Sequence, residues 1–177
     1  VLEKRLRRSL QRIHPQYPEE VIDEAVKWVM QYSHPNFILG NYEIYQKLFV
    51  SGIPIEHKSK DTPFVVRFID FDEPHNNEFL CVNQFAIEGT DAVRRPDVIV
   101  FVNGLPLVVF ELKSPTTSGG TMYSAYEQLE EYKKDIPELF LFNQFLVVSD
   151  LLEAQHGTIT APWERFATWK GIESEDE

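Results

Sequence analysis

Two apolar runs joined by an Asn-Gly pair constrain this chain more than any other feature. Residues 97–102 and Leu105–Leu112 flank Asn103-Gly104, and between them they carry one strand's worth of valine, isoleucine, leucine and phenylalanine after another. Near-continuous apolar strands suit the centre of a sheet covered on both faces. An Asn-Gly pair between such strands is a hairpin signal. The chain around them supplies the covering helices. Pro18-Glu19-Glu20 followed by Val21, Ile22, Ala25, Val26, Trp28 and Val29 reads as an amphipathic helix, with proline in the first turn and acids at the positive end of the dipole. A second helix is expected over residues 41–51, with Asn41 as N-cap and Gly52 as the residue just past its end. Residues 64–71 and 78–87 are rich in β-branched and aromatic side chains and are separated by turn residues 73–77. Residues 121–135 read as a helix stopped before Pro137, and 145–148 as one more buried strand. Residues 157–171 read as irregular, with a short helix near 163–169. Helices, strands, helix, strand: the order predicts an α/β fold with a mixed central sheet flanked by helices.

The chemistry lies at the ends of that hairpin. Arg95-Pro96-Asp97 precedes the first strand, and Glu111-Leu112-Lys113 closes the second. Charges at the end of so apolar a pair are costly unless they are paired, hydrated or bound to a metal. A period of two puts Glu111 and Lys113 on one face and Leu112 on the other. Asp97 joins them under one condition. Directly paired residues share a face, so Asp97 can oppose Glu111 only if the loop holds an odd number of residues or the ladder carries a bulge. We therefore expect a three-residue loop, Val102-Asn103-Gly104, with Gly104 left-handed, or an equivalent bulge. With that register two carboxylates and one ammonium converge. Hard oxygens suit Mg²⁺, which takes one or two carboxylates and keeps several waters. Such an ion polarises a phosphodiester oxygen and lowers the pKa of a bound water, while Lys113 positions the water or stabilises developing charge. The plain alternative is that Glu111 and Lys113 end an edge strand and pair with each other.

Pro96-Asp97 with Glu111-Leu112-Lys113 resembles the PD-(D/E)xK motif of restriction-endonuclease-like nucleases. Gln128 and Tyr132, four residues apart on one helix face, resemble the QxxxY motif of RecB-type nucleases. The wording around them is more specific. Residues 82–85, 95–99, 103–108, 111–115, 136–140, Glu164-Arg165-Phe166 and Trp169-Lys170 resemble the N-terminal nuclease domain of the restriction (R) subunit of type I restriction–modification enzymes, over about residues 36–171. The resemblance implies a restriction-endonuclease-like core and Mg²⁺-dependent endonucleolytic cleavage of double-stranded DNA. It implies Asp97 and Glu111 as metal ligands, Lys113 as a catalytic residue, and Gln128 and Tyr132 as supporting residues that orient DNA. It further implies a cytoplasmic prokaryotic setting, methyltransferase and specificity subunits as partners, and a helicase motor later in the same chain. Many nucleases of this fold add an acid from an N-terminal helix, for which Glu43 and Glu24 are the candidates. No GxxxxGK[ST] stands in these 177 residues, so the ATP site of a full-length subunit lies elsewhere. The rival readings are a repair-type or free-standing nuclease of the same fold, and an interaction domain that kept the fold without the activity.

Composition sets the bounds. The 177 residues are read as one domain: a helical part to residue 52, a catalytic core at 53–150, an extension at 151–171 and an acidic tail at 172–177. The chain begins at Val1, as a fragment of a longer protein would. With 43% hydrophobic residues it can bury a core, and its single cysteine, Cys81, excludes a disulfide framework and is expected in that core. No apolar run approaches the roughly 20 residues that span a bilayer, so no membrane association is expected. The three tryptophans are expected in packing, and none of the five histidines is given a role. Net charge is −11, which argues against strong independent DNA binding. The charge is uneven. Residues 1–13 hold Lys4, Arg5, Arg7, Arg8 and Arg12 against Glu3, as a solvated helix face or as an electropositive arm. Residues 173–177 hold four acids, without which −11 becomes −7. The polar loop 114–120 is an ordinary connection or a mobile loop over the DNA backbone.

Overall fold

A computed structural model describes residues 1–90, 92–114, 120–150 and 152–170. Two helices open the chain, α1 (Glu3–Ile13) and α2 (Glu19–Gln31), followed by α3 (Phe37–Ile44), which runs into a π-helical segment, Tyr45–Ser51. A hairpin of β1 (Ile53–His57) and β2 (Lys60–Val66) comes next. Then follow β3 (Phe79–Asn83), the small pair β4 (Ile87–Glu88) and β5 (Val93–Arg94), and the long pair β6 (Val98–Val102) and β7 (Leu105–Leu112). Helices α4 (Met122–Asp135) and α5 (Pro137–Phe142) lead to β8 (Phe145–Ser149), β9 (Ala154–Gly157) and β10 (Ala167–Thr168).

The main sheet has the order β10-β9-β8-β7-β6-β3. All neighbours are antiparallel except β7 and β8, which run parallel and need the α4–α5 crossover between them. The fold is thus α/β with a mixed central sheet flanked by helices, consistent with a restriction-endonuclease-like core. The β6–β7 hairpin is covered on both faces, as its composition demanded. Ile99, Phe101 and Val109 pack with Leu146, Val148 and with Ala125, Leu129 and Tyr132 of α4. Leu105 and Leu107 belong to a second cluster built from α1, α2, β1 and β2, with Leu6, Val26, Ile53 and Phe68 at its centre. Helix α4 starts cleanly because Thr121 and Ser124 cap reciprocally: each side-chain oxygen accepts the other's backbone N–H, at 3.1 and 3.0 Å.

Several expectations need correcting. The expected three-residue loop is absent: Val102 pairs with Leu105 across a two-residue turn, Asn103 and Gly104, both at positive φ (52° and 82°). The bulge alternative holds instead, because Val100 pairs with Val108 but Phe101 pairs with Pro106, leaving Leu107 as the extra residue. A Cβ on Gly104 would lie 2.7 Å from the Leu2 carbonyl oxygen, so the turn admits the start of α1 only as glycine. Asn41 does not cap the third helix. Asn36 does, accepting from the N–H groups of Ile38 and Leu39, and Asn41 is buried with its amide donating to the carbonyls of Phe140, Leu141 and Asn143. Gly52 does follow the segment with φ 77°. Strand β1 escaped the sequence reading because Pro54 interrupts its short Ile53/Ile55 alternation. Helix α5 escaped it because six residues are too few for a period. Cys81 is exposed: it lies on edge strand β3, where alternate residues face solvent. Trp169 is half-exposed, against β9, rather than buried in packing. Residues 154–157 and 167–168 form strands, and the expected helix near Trp163 is a single 3₁₀ turn. In the basic start, Arg5 pairs with Glu78, Arg7 with Glu3 and Asp23, and Arg12 donates to the Asn76 carbonyl oxygen at 2.6 Å. Those three guanidiniums pin α1 to the body of the molecule. Most of the polar loop after Lys113 and the acidic tail lie outside the described residues. Among the described residues no helix is long and apolar enough to cross a membrane.

Candidate active site

The bulge sets the register of the hairpin's open end. Val98 pairs with Phe110, so the next pair outward is Asp97 with Glu111. Asn83 pairs with Val98 on the other side, which puts Gln84 opposite Asp97. Gln84, Asp97 and Glu111 therefore stand in a row across three neighbouring strands. Beyond the last residue of β7 the Lys113 N–H donates to the Ser149 carbonyl oxygen at 2.8 Å, so the strand geometry persists and Lys113 stays on the Glu111 face.

The side chains form two hydrogen-bonded groups, one on Asp97 and one on Lys113, side by side at the open end of the hairpin. Asp97 accepts twice: Oδ1 from the Gln84 amide Nε2 at 2.6 Å, and Oδ2 from the Leu112 backbone N–H at 2.8 Å. Lys113 Nζ donates to Glu111 Oε1 at 3.0 Å and also to Gln128 Oε1. Gln128 in turn donates through Nε2 to the Tyr132 hydroxyl at 2.6 Å. The five residues singled out from the sequence thus meet at one place. Asp97 and Lys113 line an open cleft of about 380 Å³ together with Asn83, Gln84 and Ser114.

Glu111 is the unusual member. It is 2% exposed, and its Oε2, fully buried, makes no hydrogen bond. Burial pushes its pKa up to about 7. The Lys113 hydrogen bond opposes that shift, the negative charge of Asp97 adds to it, and the Lys113 charge and the Asp97 backbone amide oppose it further. Tyr132 is also pushed up, by burial first and then by the Glu111 charge. A buried carboxylate with a bare oxygen, beside a second carboxylate, is an arrangement that a hard cation completes. The donor set fits Mg²⁺. Among the described residues no group of three or more His, Cys, Asp or Glu converges as a metal-binding cluster, so neither Glu43 nor Glu24 joins the pair. Glu43 accepts from the Tyr32 hydroxyl at 2.7 Å and Lys47 at 2.6 Å, and Glu24 faces Lys27 at 3.3 Å.

Gln84 was missed as a site residue. Its place opposite Asp97 follows from the β3–β6 register, which the sequence does not state. Its left-handed backbone, φ 51°, has no glycine or asparagine to announce it.

A family profile described as the N terminus of the type I restriction enzyme R protein matches residues 1–165. The chain is 38% identical over its whole length to the putative type I restriction enzyme MjaIXP endonuclease subunit of Methanocaldococcus jannaschii, and 37% identical over its whole length to the type I restriction enzyme HindI endonuclease subunit of Haemophilus influenzae. It spans 17% of the length of each. A second M. jannaschii subunit, MjaVIIIP, is 27% identical over 75% of the chain.

Proposed function

This chain belongs to the family of type I restriction enzyme R protein N termini, and on that premise we propose that it is the part of such a subunit that cuts double-stranded DNA. In this reading Asp97 and Glu111 hold a Mg²⁺ ion and Lys113 is the catalytic amine. The observation that carries it is Glu111: buried, tied through one oxygen to Lys113, and bare at the other oxygen beside Asp97. A cation there would supply Lewis-acid polarisation of a phosphodiester oxygen and a more acidic water.

The chain's own residues do the rest. An ammonium has three donors, and Lys113 commits two, to Glu111 and Gln128. That leaves one donor on a residue that lines the cleft, where it can hold the attacking water or the phosphate oxygen on which charge develops. Gln128 and Tyr132 fix where that ammonium sits. The double strand, the methyltransferase and specificity subunits, and an ATP-driven motor later in the full-length chain complete the proposal. A net charge of −11 makes this domain a poor independent binder, so affinity comes from those partners. The isolated 177 residues are expected to bind duplex DNA weakly at physiological salt.

The test is cleavage by the assembled enzyme carrying Asp97→Ala, Glu111→Ala or Lys113→Ala. Each is expected to abolish cutting while ATP hydrolysis continues. Undiminished cutting by all three would remove the assignment.

A further inference from the structure

Among the described residues two other than glycine have positive φ, Asn103 and Gln84. Asn103 adopts it to turn the β6–β7 hairpin. Gln84 turns no hairpin: the chain bends there as it leaves β3. A left-handed backbone carries a steric penalty for an L residue, and such strain persists only where the surroundings over-determine it. Here they do. The Gln84 N–H donates to the Asp97 carbonyl oxygen at 3.0 Å, its side-chain amide donates to Asp97 Oδ1, and Phe85 next to it is packed edge-on against Phe101. One residue thus grips Asp97 by both backbone and carboxylate.

We propose that Gln84 is a positioning residue that presets the Asp97 carboxylate for a divalent cation. The proposal rests on the reading of Asp97 and Glu111 as cation ligands. With the Leu112 N–H alone, the carboxylate would swing about its χ2 bond. A second donor on the other oxygen fixes its plane. Each oxygen keeps a lone pair beyond the one it shares with its donor, so the carboxylate remains a ligand while its orientation is settled in advance. An acceptor-only carboxylate requires a donor opposite it, which is why an amide serves and a second acid would not. Partners of this kind, once removed, weaken metal binding about 10- to 100-fold.

The test is Mn²⁺ titration of the chain followed by electron paramagnetic resonance, with unfolding in EDTA as the control. Gln84→Asn keeps an amide and a residue tolerant of left-handed backbone, but its side chain is one methylene too short. Gln84→Gly relaxes the backbone and removes the side chain. Both are expected to weaken Mn²⁺ binding by about 10-fold or more while the metal-free unfolding midpoint stays put. In the assembled enzyme the Mg²⁺ concentration for half-maximal cleavage should rise by the same factor, with little change in rate at saturating Mg²⁺. If both variants bind Mn²⁺ as the unsubstituted chain does while Asp97→Ala loses it, the proposal is overturned and the cation reading stands. If affinity falls only in step with metal-free stability, Gln84 is a structural residue and the proposal is equally overturned. If the unsubstituted chain and Asp97→Ala respond to Mn²⁺ alike, the cation reading itself fails and this inference goes with it.

Discussion

The two ends of the β6–β7 hairpin bury polar groups in opposite ways. At the turn, Asn103 is fully buried and fully satisfied. Its amide donates to the Phe68 carbonyl oxygen and to Asn77 Oδ1, both at 2.8 Å, its Oδ1 accepts the Glu78 N–H at 2.7 Å, and its own N–H donates to the Glu78 carbonyl oxygen at 2.8 Å. At the open end, Glu111 is almost as buried, is ionisable, and leaves one oxygen with no hydrogen bond. One hairpin holds both. A buried group whose every partner comes from the chain is there for the fold. A buried group left short of a partner lowers stability and persists where something outside the chain completes it.

That contrast can be broken by substitution. The largest effect is expected at the open end and on cleavage. Asp97→Asn preserves shape but removes a charge, and cutting by the assembled enzyme should fall about 10²- to 10⁴-fold. Its unfolding free energy should fall by about 1–2 kcal/mol, because the new NH2 faces one of the two donors that the carboxylate accepted, a cost partly offset by relief of the repulsion that Asp97 exerts on Glu111. The turn end should respond the other way. Asn103→Ala strands the Glu78 N–H, the Phe68 carbonyl and Asn77, and places alanine at φ 52°; the cost is expected at about 3–5 kcal/mol in urea denaturation. Asn103→Gly keeps the lost hydrogen bonds lost but accepts the backbone, and should recover about 1 kcal/mol of that. A cost below about 1 kcal/mol for Asn103→Ala would mean that satisfaction of the turn does not distinguish the two ends.

How much of this was legible follows from what each feature depends on. The hairpin, the parallel strand after α4 and the convergence of Asp97, Glu111, Lys113, Gln128 and Tyr132 rest on apolar runs and on periods of two and four, which are local. Parity alone required a bulge or an odd loop, and it could not choose. The choice fell to Asn103-Gly104, whose two left-handed residues favour the shortest turn, and to Leu107, which is spent in the bulge. Cys81 was misplaced because an apolar neighbourhood says nothing about whether a strand lies at an edge; as an exposed thiol it should react with a thiol reagent without unfolding. Gln84 was missed and Asn41 misread as a helix cap for a related reason. What they do depends on groups 13 residues away or about 100 away, brought near by tertiary packing that no local period records.

The smallest effect changes sign with pH. Glu111 has a folded-state pKa of about 7 against an ordinary 4.5. The folded chain therefore holds that proton more tightly than the unfolded chain, and stability is lost as pH rises between those two values. Below about pH 4.5 the carboxyl is protonated in both states and nothing is lost; above about pH 7 the full penalty applies, on the order of 3 kcal/mol. Glu111→Gln replaces the ionising group with a neutral one of the same shape that can still accept from Lys113. In EDTA the variant should be less stable than the unsubstituted chain by about 1–2 kcal/mol near pH 4.5 and more stable by about 1–2 kcal/mol near pH 8, because the buried amide keeps one donor short of a partner at every pH while only the Glu111 carboxyl loses stability between those values. It should also lose cleavage. Added Mg²⁺ should narrow the gap at high pH by stabilising the ionised Glu111 and leave Glu111→Gln nearly unmoved. A gap that stays the same from acid to alkaline pH would show that the bare oxygen at the open end costs the fold no more than the satisfied amide at the turn, and the contrast between the two ends would then lie in chemistry alone.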